Sequence, residues 1–217
     1  MNKLIVSIII FSISIAVARA QLPQKVVLPV PFTCQAPYGN WNQPYQDACE
    51  EGAVIMAMRK TLTKAQAKAE ILELVEFHNK HYGDYRSTNA EQTAQLIRDF
   101  YKFENLFVTT EVSVIKIKSE LAKGNIILAP MAGKMLNNPY YSRPNPDYHM
   151  LLIKGYDDST QEFITNDDGT RRGENYRYKY STIINAIHDW TGNNKTIVNG
   201  DKKIIIVKSR IFTHSTI

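Results

Sequence analysis

Asp47-Ala48-Cys49-Glu50-Glu51-Gly52-Ala53-Val54-Ile55-Met56-Ala57-Met58-Arg59 is a small, apolar run that opens on a cysteine flanked by acids. It reads as a buried helix whose first turn holds Cys49, Glu50 and Glu51. Gly52 is a poor helix former, so its presence there points to another segment packed close against that turn. A thiol in a first turn sits at the positive end of the helix dipole, which predicts a pKa lowered from about 8.5 toward neutrality. Taken alone, a cysteine ahead of an apolar helix is also what a small buried hydrophobe looks like. The two readings separate on whether a base can reach Cys49.

Working outward, residues 36–44 are turn-rich, with Pro37, Gly39, Asn40 and Pro44 around Tyr38 and Trp41. Residues 22–33, rich in Val and Pro, read as an extended lead-in or edge strand. On the other side, residues 64–82 put Ala67, Ile71, Leu74, Val75 and His78 on one helical face, and Gly83 ends them. His78 and His81 are read as part of a solvated, charged face. Thr88-x-x-Glu91 is a capping-box pattern ahead of a third helix through Phe100, and Ser113 caps a shorter one over 112–123.

Beyond Gly124 the period changes to that of strands at 125–130, 148–155, 162–165 and 202–207, with an amphipathic helix over 181–190. Leu151, Leu152 and Ile153 are an unbroken apolar run, as in a central strand covered on both faces. Residues 140–147 and 169–177 read as irregular loops. Helices first and sheet second predict an α+β fold, with a helical lobe packed on a mostly antiparallel sheet.

Composition narrows the function classes. The first twenty of the 217 residues read as a secretory signal, with Lys3, the apolar run from Leu4 to Val17, and Ala18-Arg19-Ala20 at the cleavage point. That run is too short to span a bilayer, and nothing downstream supplies a longer one. The remaining 197 residues, 21–217, fit a single exported domain, secreted or periplasmic. Removing Lys3 and Arg19 lowers the formal charge from +5 to +3, and the bases are scattered among the acids, so no nucleic-acid footprint exists. Apolar residues make up 44% of the chain, too many for a solvated coil. In an exported chain the pair Cys34 and Cys49 first suggests a disulfide. The alternative is a nucleophile, Cys49, with Cys34 as a free buried thiol or as a redox partner that switches it off.

Among the five histidines, His149 stands apart: it opens the most apolar strand directly after a loop, which would fix an imidazole at the rim of a sheet. The next strand ends in Asn166-Asp167-Asp168, and the turn 156–160 would pair the two strands as a hairpin. His149 and the 166–168 end then lie side by side, a hairpin-borne base opposite a helix-borne thiol. A solubilising turn rich in Asp and Asn would give the same spacing.

The string Val30-Pro31-Phe32-Thr33-Cys34-Gln35-Ala36-Pro37-Tyr38-Gly39-Asn40-Trp41, then Pro44 and Asp47-Ala48-Cys49-Glu50-Glu51, with His149, Gly155-Tyr156-Asp157 and Asn166-Asp167, resembles the papain-like family related to bacteriocin-processing peptidases. The resemblance implies Cys49 as nucleophile, His149 as general base and then acid, Asp167 as the orienting residue, and Gln35 as a side-chain donor to the oxyanion. Gln43 lies six residues before Cys49, the spacing papain-like enzymes use for that donor, so it competes with Gln35. Asp168 stands where the family often has proline, which leaves Asp168 and Asn166 as alternative orienting groups. The implied activity is hydrolysis of a peptide or amide bond in a peptide or protein substrate, by a monomer, with no cofactor and no metal. Tyr38, Trp41, Tyr45, Tyr140, Tyr141 and Tyr148 are candidates to wall the cleft. Two other readings use the same residues: a non-catalytic module that binds a peptide or cell-wall fragment, and an acyltransferase that passes the acyl group to an amine.

Overall fold

The computed structural model describes residues 21–142 and 145–209. The leader expected over 1–20 lies outside the described residues, as does His214. Seven strands and five helices follow in the order β1 (Lys25–Val27), α1 (Cys49–Met58), α2 (Lys64–Tyr82), α3 (Ala90–Tyr101), β2 (Leu106–Thr109), α4 (Val114–Ala122), β3 (Ile126–Ala132), β4 (Tyr148–Asp157), β5 (Glu162–Asn166), β6 (Tyr176–Lys179), α5 (Tyr180–Ala186) and β7 (Ile204–Val207). The strands form one antiparallel sheet in the order β2-β7-β3-β4-β5-β6, and β1 pairs with the far end of β4. This is the expected α+β arrangement.

The two-residue period of the strands divides the core. Leu128, Met150, Leu152, Ile205 and Val207 face α1, α2 and α3, while Ile127, Ala129, Leu151, Ile153, Ile204 and Ile206 face α4 and α5. Helices therefore cover both faces of the sheet, which is why β4 is buried along its whole length. Truncating Leu152 to Ala should cost about 2–5 kcal/mol. α1 lies on β4, so the first turn of the helix meets the start of the central strand.

Several local expectations shift. The N-cap of α3 is Asn89, in a capping box with Gln92, and not Thr88. Thr88 is buried, and its backbone N–H is bonded to Glu50 instead. β2 and β6 were not legible as strands; β6 falls partly in a segment read as loop. α5 stops at Ala186, because Ile187 turns into a bridge with Met131. His78 is buried beside Glu51 and is no part of a solvated face. Among the described residues, no helix is long and apolar enough to cross a membrane.

Candidate active site

A single cavity of about 520 Å³ is lined by Gln35, Trp41, Asp47, Cys49, Glu50, Tyr141, Tyr148, His149 and Gly169, among others. Stretches far apart in the chain supply it: the segment before α1 with the first turn of that helix, residues 141–142 and 145–147 with the start of β4, and Gly169 after β5. Trp41, Tyr141 and Tyr148 wall it as expected. Tyr38 and Tyr140 are exposed elsewhere, and Tyr45 is buried beneath it.

β4 and β5 pair as the hairpin required, and β5 delivers Asp167 beneath the imidazole. Asp167 Oδ1 lies 3.0 Å from His149 Nε2. The other oxygen, Oδ2, accepts from the hydroxyls of Tyr141 and Tyr178 and from Asn138 Nδ2. Burial would raise the pKa of this carboxyl, but the bond and charge of His149 and the two phenols together hold it below its ordinary value. An ionised Asp167 can only accept, so Nε2 is the donor in this pair. Gly169 donates its N–H to Asp167 Oδ1, and a Cβ there would stand 3.0 Å from His149 Cε1, so the ring's place depends on a bare backbone.

The two alternative orienting residues differ from Asp167 in their surroundings. Asn166 turns away and donates to the carbonyls of Val30 and Pro31, tying the lead-in segment to β5. Asp168 Oδ1 is 3.5 Å from His149 Nε2, and neither of its oxygens has a hydrogen-bond partner. Burial and the charges of Asp167 and Glu50 push its pKa far up. Asp168 is also the close neighbour that Gly52 announces: a Cβ on Gly52 would lie 2.1 Å from its Oδ2. His149, Asp167 and Asp168 are the described residues whose donor atoms, all within 4.8 Å, could hold a metal ion. Asp167 and His149 already spend those donors on each other.

Gln35 and Gln43 separate in space. Gln35 is buried on the cavity wall, and its Nε2 donates to Tyr45 O (2.9 Å) and Gln46 O (3.0 Å), in the turn leading into α1. Its own N–H bonds to Asp168 O. Gln43 is outside the cavity lining; it donates to Asp47 Oδ2 at 2.6 Å and accepts from the Tyr85 hydroxyl.

One expectation is overturned. The pKa of Cys49 is pushed well up, first by burial, then by the charges of Glu50 and Asp168, against the opposing Met150 N–H. With only 7% of its surface exposed, desolvation and two nearby carboxyls outweigh the helix dipole. The thiol donates to Glu50 Oε2 at 3.0 Å. Sequence reasoning placed Glu50 in the first turn but gave it no role; its position directly after Cys49 was the available signal. Cys34 is a free buried thiol, as is Cys49, and burial pushes Cys34 up to about 12. Of the alternatives the sequence leaves open for this pair, the structure holds the free thiols and not the disulfide.

The model of a peptidase C39-like family matches residues 27–197. Among solved structures, a protein described as a C39-like peptidase from Bacillus anthracis is 13% identical over 87% of this chain and 99% of its own, with a TM-score of 0.56. Xylellain, a cysteine protease from Xylella fastidiosa, is 17% identical over 88% of this chain and 87% of its own, with a TM-score of 0.40. No curated protein matches the chain.

Proposed function

The chain belongs to the peptidase C39-like family, and on that premise we propose that it is a thiol hydrolase that cleaves a peptide or amide bond through an acyl-enzyme on Cys49. The observation that carries the reading is Cys49, His149 and Gln35 sharing one cavity, with Asp167 bonded behind the imidazole. Asp167 occupies Nε2, which leaves Nδ1 to take the thiol proton. The Cys49 sulfur then bonds to the substrate carbonyl carbon, whose oxygen becomes an oxyanion.

The backbone N–H of Cys49, at the start of α1, would face such a charge. Gln35 Nε2 is the side-chain donor, and it exchanges one of its two carbonyl bonds to serve. The Nδ1 proton passes to the leaving amine as the C–N bond breaks. Water then attacks the thioester, giving a proton to His149 and returning the sulfur. The 1–20 leader would make this an exported enzyme.

The test is alkylation by iodoacetamide across pH, with Cys49→Ala and His149→Ala, beside hydrolysis of a quenched peptide library. We expect one reactive thiol, lost in Cys49→Ala and slowed in His149→Ala, and peptide cleavage lost in both. Reactivity indifferent to His149 would refute the reading.

A further inference from the structure

Resting on that reading of the site, we propose that Glu50 is a brake on the nucleophile: its ionised carboxylate takes the Cys49 S–H bond and competes with His149 for that proton, and its protonation releases the sulfur. The geometry is specific. Glu50 is fully buried, yet lines the cavity. Its Oε1 accepts the Thr88 N–H at 2.6 Å, which aims Oε2 at the Cys49 sulfur, 3.0 Å away. Thr88 is itself fixed, its carbonyl accepting from the Tyr148 hydroxyl and its own hydroxyl paired with Thr93. The carboxyl therefore cannot swing away without loosening the segment ahead of α3.

A carboxylate can only accept hydrogen bonds, so in that state it favours the thiol and repels the thiolate. A carboxylic acid can donate, and its O–H toward the sulfur favours the thiolate. Burial, and then the neighbouring Glu51, push Glu50 up to about 7, which puts the exchange of roles near neutrality. The groups that face it are Cys49 and Glu51 on α1, His78 on α2, Thr88 before α3, Tyr148 on β4 and Asp168 after β5, and His149 lines the same cavity. Of these, burial pushes Tyr148 and Asp168 up and lowers His78. Glu51, pushed up to about 8, titrates in the same range.

Glu50→Gln mimics the protonated acid, since the amide oxygen can keep the Thr88 bond while the amide nitrogen donates to sulfur. Iodoacetamide rates for Cys49 should be about tenfold faster in Glu50→Gln than in the wild type at pH 8, one pKa unit of thiol acidity. The two should converge toward pH 6, where the wild-type carboxyl is already protonated. Rates equal or slower in Glu50→Gln at pH 8 would overturn the brake. His149→Ala on both backgrounds separates the two ideas: if it slows alkylation while Glu50→Gln does nothing, the hydrolase stands and the brake falls. If His149→Ala is silent, the hydrolase reading falls first. Should Glu50→Gln not fold, the infrared S–H stretch of the wild type, assigned by its loss in Cys49→Ser, decides. It should shift between pH 8 and 6, and an unmoved band refutes the proposal.

Discussion

His149 Nε2, in β4, and Asp167 Oδ1, directly after β5, stand 3.0 Å apart at one end of a hairpin, both buried. The carboxylate's second oxygen is held by two phenols and an amide, so the imidazole is oriented by a group that cannot itself rotate. Asp167→Ala should lower kcat/KM for any cleaved peptide by about 100-fold, the effect of a misplaced reacting group. Asn166→Ala, which loses ties to Val30, Pro31 and the Asn175 N–H, should lower the Tm with little change in kcat. Equal losses of activity in both would place the orienting role elsewhere.

Gln35 and Gln43 can be separated in the same way. Gln35 faces the cavity and Gln43 does not. Gln35→Ala should lower kcat by about 100-fold to 1000-fold, as removal of an oxyanion donor does, whereas Gln43→Ala should touch kcat little. Steady-state kinetics of the two variants decide, and the reverse order would transfer the role to Gln43.

Gly52 and Asp168 form a steric pair across α1 and the end of β5. A methyl group on Gly52 would meet Asp168 Oδ2 at 2.1 Å, so Gly52→Ala should destabilise by about 1–3 kcal/mol through overpacking. Asp168→Ala should relieve most of this, giving a coupling energy in a double-mutant cycle. Chemical denaturation of the four proteins measures it, and simple additivity would refute the contact.

Glu51 predicts a pH dependence of stability. Burial pushes its pKa up from about 4.5 to about 8, with His78 Nδ1 3.5 Å away and no hydrogen bond to either carboxyl oxygen. Because the folded-state value is the raised one, its contribution is fully present below the unfolded value. It is then lost as pH rises toward about 8. Glu51→Gln should therefore gain on the wild type across that window, by on the order of a few kcal/mol at its upper end. Thermal melts at pH 5 and pH 8 test this, and a constant difference would show that Glu51 is not titrating.

Much of the chain could be read locally. α2 runs over the expected residues to Gly83, whose φ of +100° suits glycine, because periodicity and end signals are properties of neighbouring residues. β2 and β6 were missed because short, partly exposed strands become strands only when β7 and β5 offer them edges.

The amino-acid order by itself determined the helices and main strands, the thiol at the head of α1, and a histidine and an acid on paired strands, since each follows from spacing within a few turns or one hairpin. Only the tertiary structure shows that Asp167 bonds the imidazole while Asn166 turns away, that Gln35 lines the cavity while Gln43 does not, and that the acidity of Cys49 is lowered. Those outcomes depend on which side chains burial brings together, and desolvation with nearby carboxyls overrode the dipole that the sequence alone could show.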